Sequence, residues 1–395
     1  MAARTSRRPA HDADKPVRDT DLDAALARFS AVSKNYLHEL SLSAPPPFAR
    51  PETDGAVPSD YAALFVPASL SSRERARPPW VNIGTHQRTY IIDELVERFL
   101  LGTATEGPQV VSLGAGSDSR FWRLRSRLAA RWPPLARWVE TDLEPTVRQK
   151  IRTIAAHDSL RGLCGRCSPD PSAPTTPPPD GRPDGAPTEL HGAHYTLLAA
   201  DLRRPAELVA KLSASAPTAD AAPVLRASAP TLILAELVFL YLSPAHTAAC
   251  LEALTRFFAG PLMIVCFEAL NLDDSFSRIM VQNLAGRGLS LAGFDYNCSV
   301  DSQIARFRAH GFTEIVSTDM KALRLESAGP AAADGQEQDQ WSTRWSAELA
   351  RIRRLEFLDE VEELELILLH YSLSWARRNF SSPNRETVGF YLPQF

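Results

Sequence analysis

The stretch QVVSLGAGSDSRFWRL, residues 109–124, sets two glycines between a short apolar run and a segment with helical spacing. A strand, a glycine turn and a helix in that order form a ligand loop in many α/β folds. A dinucleotide fingerprint requires a third glycine where Ser119 stands, and Asp118 inside the turn would repel a pyrophosphate. No Lys-Ser or Lys-Thr pair follows the glycines, which excludes a P-loop. A cationic ligand without phosphate tolerates Asp118. S-adenosylmethionine (SAM), with a sulfonium, an amino-acid end, a ribose and an adenine, is such a ligand, and Gly114 and Gly116 would let main chain approach it closely.

Outward from this turn, short apolar runs alternate with helical patterns: residues 109–113, 137–141, 194–200, 231–236 and 262–268. That alternation, with Val and Ile concentrated in the runs, predicts βαβ units and a parallel sheet buried on both faces. Two further runs follow, FTEIVSTDM (312–320) and LELILLHYSLSWA (364–376), the second after a helical pattern, SAELARIRRLEFLDEVEEL (346–364). The expected fold is therefore α/β, with a seven-stranded, mostly parallel sheet whose last strand is antiparallel. Amphipathic helices over 22–40 and 86–101 precede the sheet.

The 395 residues are 44% hydrophobic and 23% charged, a composition that supports a sizeable core. A net charge of -4 argues against nucleic acid as the main partner. The five cysteines are too few and scattered for a disulfide framework, and Cys164 and Cys167 in CGRC lack the second CxxC of a zinc site. Without a membrane-length apolar run or a secretory signal core, the protein is expected to be cytoplasmic, with no membrane partner, and monomeric. One domain is expected over 21–395, after a disordered tail at 1–20. The proline-rich stretch within 164–190 reads as a disordered insertion, and 326–340 as a flexible loop.

In an open α/β sheet, ligands sit beyond the carboxyl ends of the strands. Asp142 follows the second run and is placed to accept ribose hydroxyls. Asp201 and Leu202 follow the third and could meet an adenine. Glu236 closes the fourth, with Tyr241 a turn later. Each aspartate also has a structural explanation: Asp142 could cap the helix LEPTVRQKI, and Asp201 the helix RPAELVAKL. Four acids, counting Asp118, at the ends of strands on one sheet edge favour a cofactor site over caps alone.

The motifs VVSLGAGSDSRFWRL, ETDLEP, AADLR, LILAELVFLYLSP and RLEFLDEVEELELILLHYSLSWA together resemble the leucine carboxyl methyltransferase family, from about Phe29 to Trp375. The resemblance implies a class I SAM-dependent methyltransferase with a Rossmann-like sheet, acting on the C-terminal leucine carboxylate of the protein phosphatase 2A catalytic subunit. It implies a cofactor site of Arg88, Gly114, Asp142, Asp201, Leu202 and Glu236, with Arg88 on the SAM carboxylate and Arg28 as a second cation. Gly116 joins these from the turn itself. The segment 270–303 resembles the family's substrate-covering insertion. Thr85 stands where the family usually has an aromatic residue.

A peptide carboxylate is already ionised at neutral pH, so no general base is required, and none of the nine histidines has the i, i+4 spacing of a metal pair. No metal is expected. Tyr241 is the candidate for orienting the acceptor carboxylate. The alternatives are a transferase acting on tRNA wybutosine precursors and a non-catalytic SAM-binding or phosphatase-binding module.

Overall fold

The computed structural model describes residues 12–37, 61–170, 187–216, 223–294, 299–326, 336–359 and 361–380, with 326 and 336–342 described by backbone alone. Its centre is one mixed sheet. The strands are β1 (Gln109–Leu113), β2 (Arg137–Asp142), β3 (Glu189–His191), β4 (Tyr195–Ala199), β5 (Thr231–Glu236), β6 (Leu262–Ala269), β7 (Glu314–Asp319) and β8 (Tyr371–Arg378). They lie in the order β3-β4-β2-β1-β5-β6-β8-β7. Strands β4, β2, β1, β5 and β6 are parallel, and β8 is inserted antiparallel between β6 and β7. Every residue of β1 and β6 is buried, as expected for strands covered by helices on both faces.

The sheet has eight strands where seven were expected, because the three-residue β3 adds antiparallel to the edge of β4. It is too short and too close to the proline-rich stretch to show a period-2 pattern. The last expected run also divides: its residues 364–369 fall in a helix (Val361–Leu369), and the strand is Tyr371–Arg378. Leu364 and Leu368 are buried one turn apart, with Glu362, Glu363 and Glu365 between or before them. The preceding helical pattern is interrupted too, since its helix (Gln336–Ile352) stops before residues 353–359. That helix already includes residues 336–340, which the sequence assigned to a flexible loop.

The first helix starts at Lys15, inside the tail expected to be disordered, and runs to Ser33. Its first turns are held by charge pairing, Lys15 to Asp19 at 2.6 Å and Arg18 to Asp12, which an apolar pattern does not register. Residues 38–40 of that expected helix, and 171–186 of the proline-rich insertion, lie outside the described residues. The helix expected over 86–101 spans Pro79–Gly102, longer than its apolar pattern, with Pro79 at its first position. Within the 270–303 segment, Ser275–Gly286 is helical, capped by Asp274, whose carboxylate accepts the Ser277 N–H at 2.8 Å.

Two buried clusters sandwich the sheet. One gathers Leu95, Phe99, Phe121, Trp122, Trp138 and Tyr195, the other Leu198, Leu208, Ile233, Leu251, Phe258 and Phe312. They leave the carboxyl ends of β1, β2, β4 and β5, and the start of β8, facing one cavity.

Candidate active site

A cavity of about 460 Å³ opens at those strand ends, within the usual range for a small-molecule site. Arg28, Arg88, Gly114, Gly116, Asp142, Asp201, Leu202, Glu236 and Tyr241, the nine residues singled out from sequence, all line it.

The turn after β1 has Gly114 at φ +58° and Gly116 at φ +47°, a region that penalises any residue with a Cβ. A Cβ on Gly114 would lie 2.9 Å from Val238 Cγ2, and one on Gly116 would collide with the Asp21 carboxylate. The Gly116 N–H donates to Asp142 Oδ2 at 2.7 Å, and the Leu143 N–H to Asp142 Oδ1 at 2.7 Å. Asp142 thus braces the turn rather than capping the following helix (Glu144–Ala156), whose N-cap is Leu143. Burial pushes its carboxyl up to about 6; nearby Asp21 adds to the rise, while the two N–H donors oppose it. Asp201 is not a cap either: it holds Arg203 through two bonds from Nε, at 2.8 and 3.0 Å, and the next helix begins at Pro205.

Behind the turn lies a chain of buried ion pairs. Arg120, with no exposed side-chain surface, donates from Nε to Asp93 Oδ1 at 2.8 Å, from Nη1 to Asp118 Oδ2 at 2.6 Å, and from Nη1 to Glu236. Arg28 pairs with Asp118 at 2.7 Å and Arg88 with Glu236 at 2.6 Å. Burial alone would raise Glu236, yet Arg120 and Arg88 hold it down at about 2. Arg120 and Arg28 likewise keep Asp118 ionised against its burial. Asp118 therefore lines the cavity with its charge balanced by two guanidinium groups. Lys150 secures the turn from below, donating to the Asp118 carbonyl at 2.8 Å while paired with buried Glu140 at 2.5 Å.

The first helix crosses this cavity. Asp21 accepts the Ser117 N–H and hydroxyl, each at 2.6 Å, Asp14 holds Arg203, and Thr20 faces the Tyr241 hydroxyl. The far wall is apolar, with Leu237, Leu240, Ala269, Met280, Leu284 and Tyr371. Tyr371 stacks on Phe267 with ring centres 5.3 Å apart, and the Arg88 guanidinium lies 4.7 Å from the same Phe267 ring.

The sequence reading missed Arg120, Asp21, Arg203 and Tyr371. Arg120 stands two residues after Asp118, and Arg203 two residues after Asp201, so both could have been suspected from that proximity; Asp21 and Tyr371 reach the cavity through tertiary contacts with no local pattern. Among the described residues, no group of three or more His, Cys, Asp or Glu side chains could hold a metal ion, and no helix is long and apolar enough to cross a membrane.

The sheet order with its inserted antiparallel strand, together with a glycine turn and acids at the strand ends, defines a SAM-dependent methyltransferase. Comparison with known proteins narrows that class. A family model described as leucine carboxyl methyltransferase matches residues 44–255. Leucine carboxyl methyltransferase 1 of Cryptococcus neoformans is 39% identical over 390 residues, covering 96% of this chain and 97% of that protein. The Aspergillus fumigatus protein of the same name is 32% identical over 377 residues, covering 92% and 82%. A solved structure from Thermobifida fusca aligns with a TM-score of 0.45 at 16% identity, over 81% of this chain and 93% of that one. The chain belongs to the leucine carboxyl methyltransferase family, whose members are SAM-dependent carboxyl methyltransferases.

Proposed function

We propose that the protein transfers the methyl group of SAM to the α-carboxylate of the C-terminal leucine of the protein phosphatase 2A catalytic subunit, forming a methyl ester. The observation that carries this reading is the cavity's division into a charged half, with Arg28, Arg88, Glu236 and Asp142, and an apolar half with Leu240, Met280, Leu284 and Tyr371.

The residues present fit SAM. Two glycines leave the space that a Cβ would fill, Arg88 and Arg28 suit the SAM carboxylate, and Glu236, held ionised, suits its ammonium. Asp142 retains acceptor capacity for ribose hydroxyls beside its two N–H donors, and Asp201 with Leu202 forms the edge suited to adenine. When bound, SAM supplies an electrophilic methyl on a positively charged sulfur.

The acceptor arrives as a carboxylate, so the protein needs to align it and keep water away, not deprotonate it. Attack joins an anion to a cation and charge shrinks toward the transition state, which an apolar surround favours. Leu237, Leu240, Met280 and Leu284 provide that surround. Tyr241 stands at its edge with its proton retained, because burial raises its pKa, and can donate a hydrogen bond to the acceptor carboxylate.

Incubation with methyl-labelled SAM and the phosphatase catalytic subunit, with or without its terminal leucine, tests the reading. Base-labile label on the intact subunit alone is the expected result. Label on both forms, or on neither, would refute it.

A further inference from the structure

Glu268 has no exposed surface and lies next to last in β6, behind the cavity wall rather than on it. Its Oε1 accepts the N–H groups of Val238 and Phe239 at 3.0 and 2.8 Å, and its Oε2 accepts that of Leu240 at 3.2 Å. Those three amides begin the tight turn that follows β5, the segment that delivers Leu237, Leu240, Tyr241 and Leu242 to the cavity. The turn is not a relaxed one: Leu237 holds φ +56°, a left-handed conformation that costs a branched residue free energy and needs outside support. An ionised carboxylate offers full acceptors on both oxygens to the three converging N–H groups, whereas protonation turns one oxygen into a donor and weakens it as an acceptor.

We propose that Glu268 is a positioning residue for the methyl acceptor: its carboxylate fixes the 238–240 amides and thereby sets where Tyr241 and Leu240 stand against the incoming carboxylate. This rests on the methyl-transfer reading above and assigns part of that site a control it otherwise lacks. The groups facing Glu268 are Arg306 from the helix Val300–Ala309, which also lies 5.7 Å from the Phe239 ring, Tyr241 from the turn, and Cys266 from its own strand. Tyr241 and Cys266 are both raised by burial, so neither changes charge near neutrality. Burial pushes Glu268 itself up to about 7, with Arg306 and the three N–H groups pulling the other way. Its protonation therefore falls within the working range and loosens the acceptor half of the site while the cofactor half stays in place.

The test is the pH dependence of kcat/KM for the phosphatase catalytic subunit at saturating labelled SAM, with SAM affinity measured by calorimetry at each pH. Wild-type kcat/KM should fall by about tenfold per pH unit below about 7, as one protonation dictates. Glu268→Gln should remove that limb and lower kcat/KM at high pH by at least about tenfold, with SAM affinity within about twofold of wild type. Arg306→Met, which removes the cation opposing protonation, should move the limb to higher pH. A flat wild-type profile through neutrality, or a Glu268→Gln enzyme that keeps the wild-type limb, overturns the proposal. A Glu268→Gln enzyme that is folded by circular dichroism but binds no SAM also overturns it; if the variant is unfolded by that measure, the shift in Arg306→Met decides, and no shift counts against the proposal. A wild-type enzyme that binds SAM but labels no subunit at any pH refutes the methyl-transfer reading, and the acceptor role of Glu268 with it.

Discussion

Replacing Arg120 with methionine probes the ion-pair chain beneath the cavity. The guanidinium is fully buried and donates to three carboxylates, Asp93, Asp118 and Glu236. Removing one member of a buried pair costs about 3–5 kcal/mol, because the partner stays in the interior uncompensated. Each carboxylate here keeps a second cation: Asp93 keeps Arg123 and, at 3.5 Å, Arg127, Asp118 keeps Arg28, and Glu236 keeps Arg88. The loss should therefore lie near the lower end, about 3 kcal/mol, a large share of the roughly 5–15 kcal/mol that holds a domain together. A second effect separates this residue from an ordinary core position. Arg120 is the strongest of the charges that hold Glu236 at about 2, so its loss should raise that carboxyl and make SAM affinity fall on mild acidification. Urea denaturation followed by circular dichroism gives the first quantity, and calorimetric titration with SAM across pH gives the second. A destabilisation under about 1 kcal/mol together with wild-type SAM affinity across pH would show that the buried chain neither supports the fold nor tunes Glu236.

Further outcomes can be checked separately. Asp142, raised to about 6 in the fold from an ordinary 3.8, gives opposite pH trends: its contribution to apo-protein stability falls as pH rises between those values, while SAM affinity rises over the same window. Asp142→Asn should flatten both, and parallel trends in wild type and variant would exclude the residue from the site. Gly116→Ala should cost about 1–2 kcal/mol in backbone strain, more with Asp21 in place than with Asp21→Ala, so a double-mutant cycle showing simple additivity would refute the contact. Tyr241→Phe should lower kcat/KM for the acceptor by about tenfold or more with SAM affinity unchanged, and a change in SAM affinity alone would move the residue to the cofactor half.

The five parallel strands are legible in the sequence because each is an apolar run bounded by turn residues, and the strand-end acids follow from that register. What escapes is whatever depends on partners distant in sequence. Residues 364–369 read as strand because LELILL is a short, nearly continuous apolar run, and only packing of Leu364 and Leu368 beneath it decides for the helix Val361–Leu369. β3 exists because the edge of β4 is open to it, not because ELH has a strong preference. Arg28 fits only a loose motif in the sequence, yet tertiary folding seats it on Asp118. Arg120 reads as one more arginine on a charged helix, although its side chain is wholly interior.

The most direct measurement is calorimetric titration of SAM into wild-type protein, Asp201→Ala and Glu236→Ala, with circular dichroism confirming that each is folded. One site per chain in the wild type, and affinity weakened by at least about tenfold in each variant, is the result expected if these strand-end acids surround the cofactor. Unchanged affinity in both would contradict it, and would mean that SAM, if it binds, does so away from the cavity beyond Gly114.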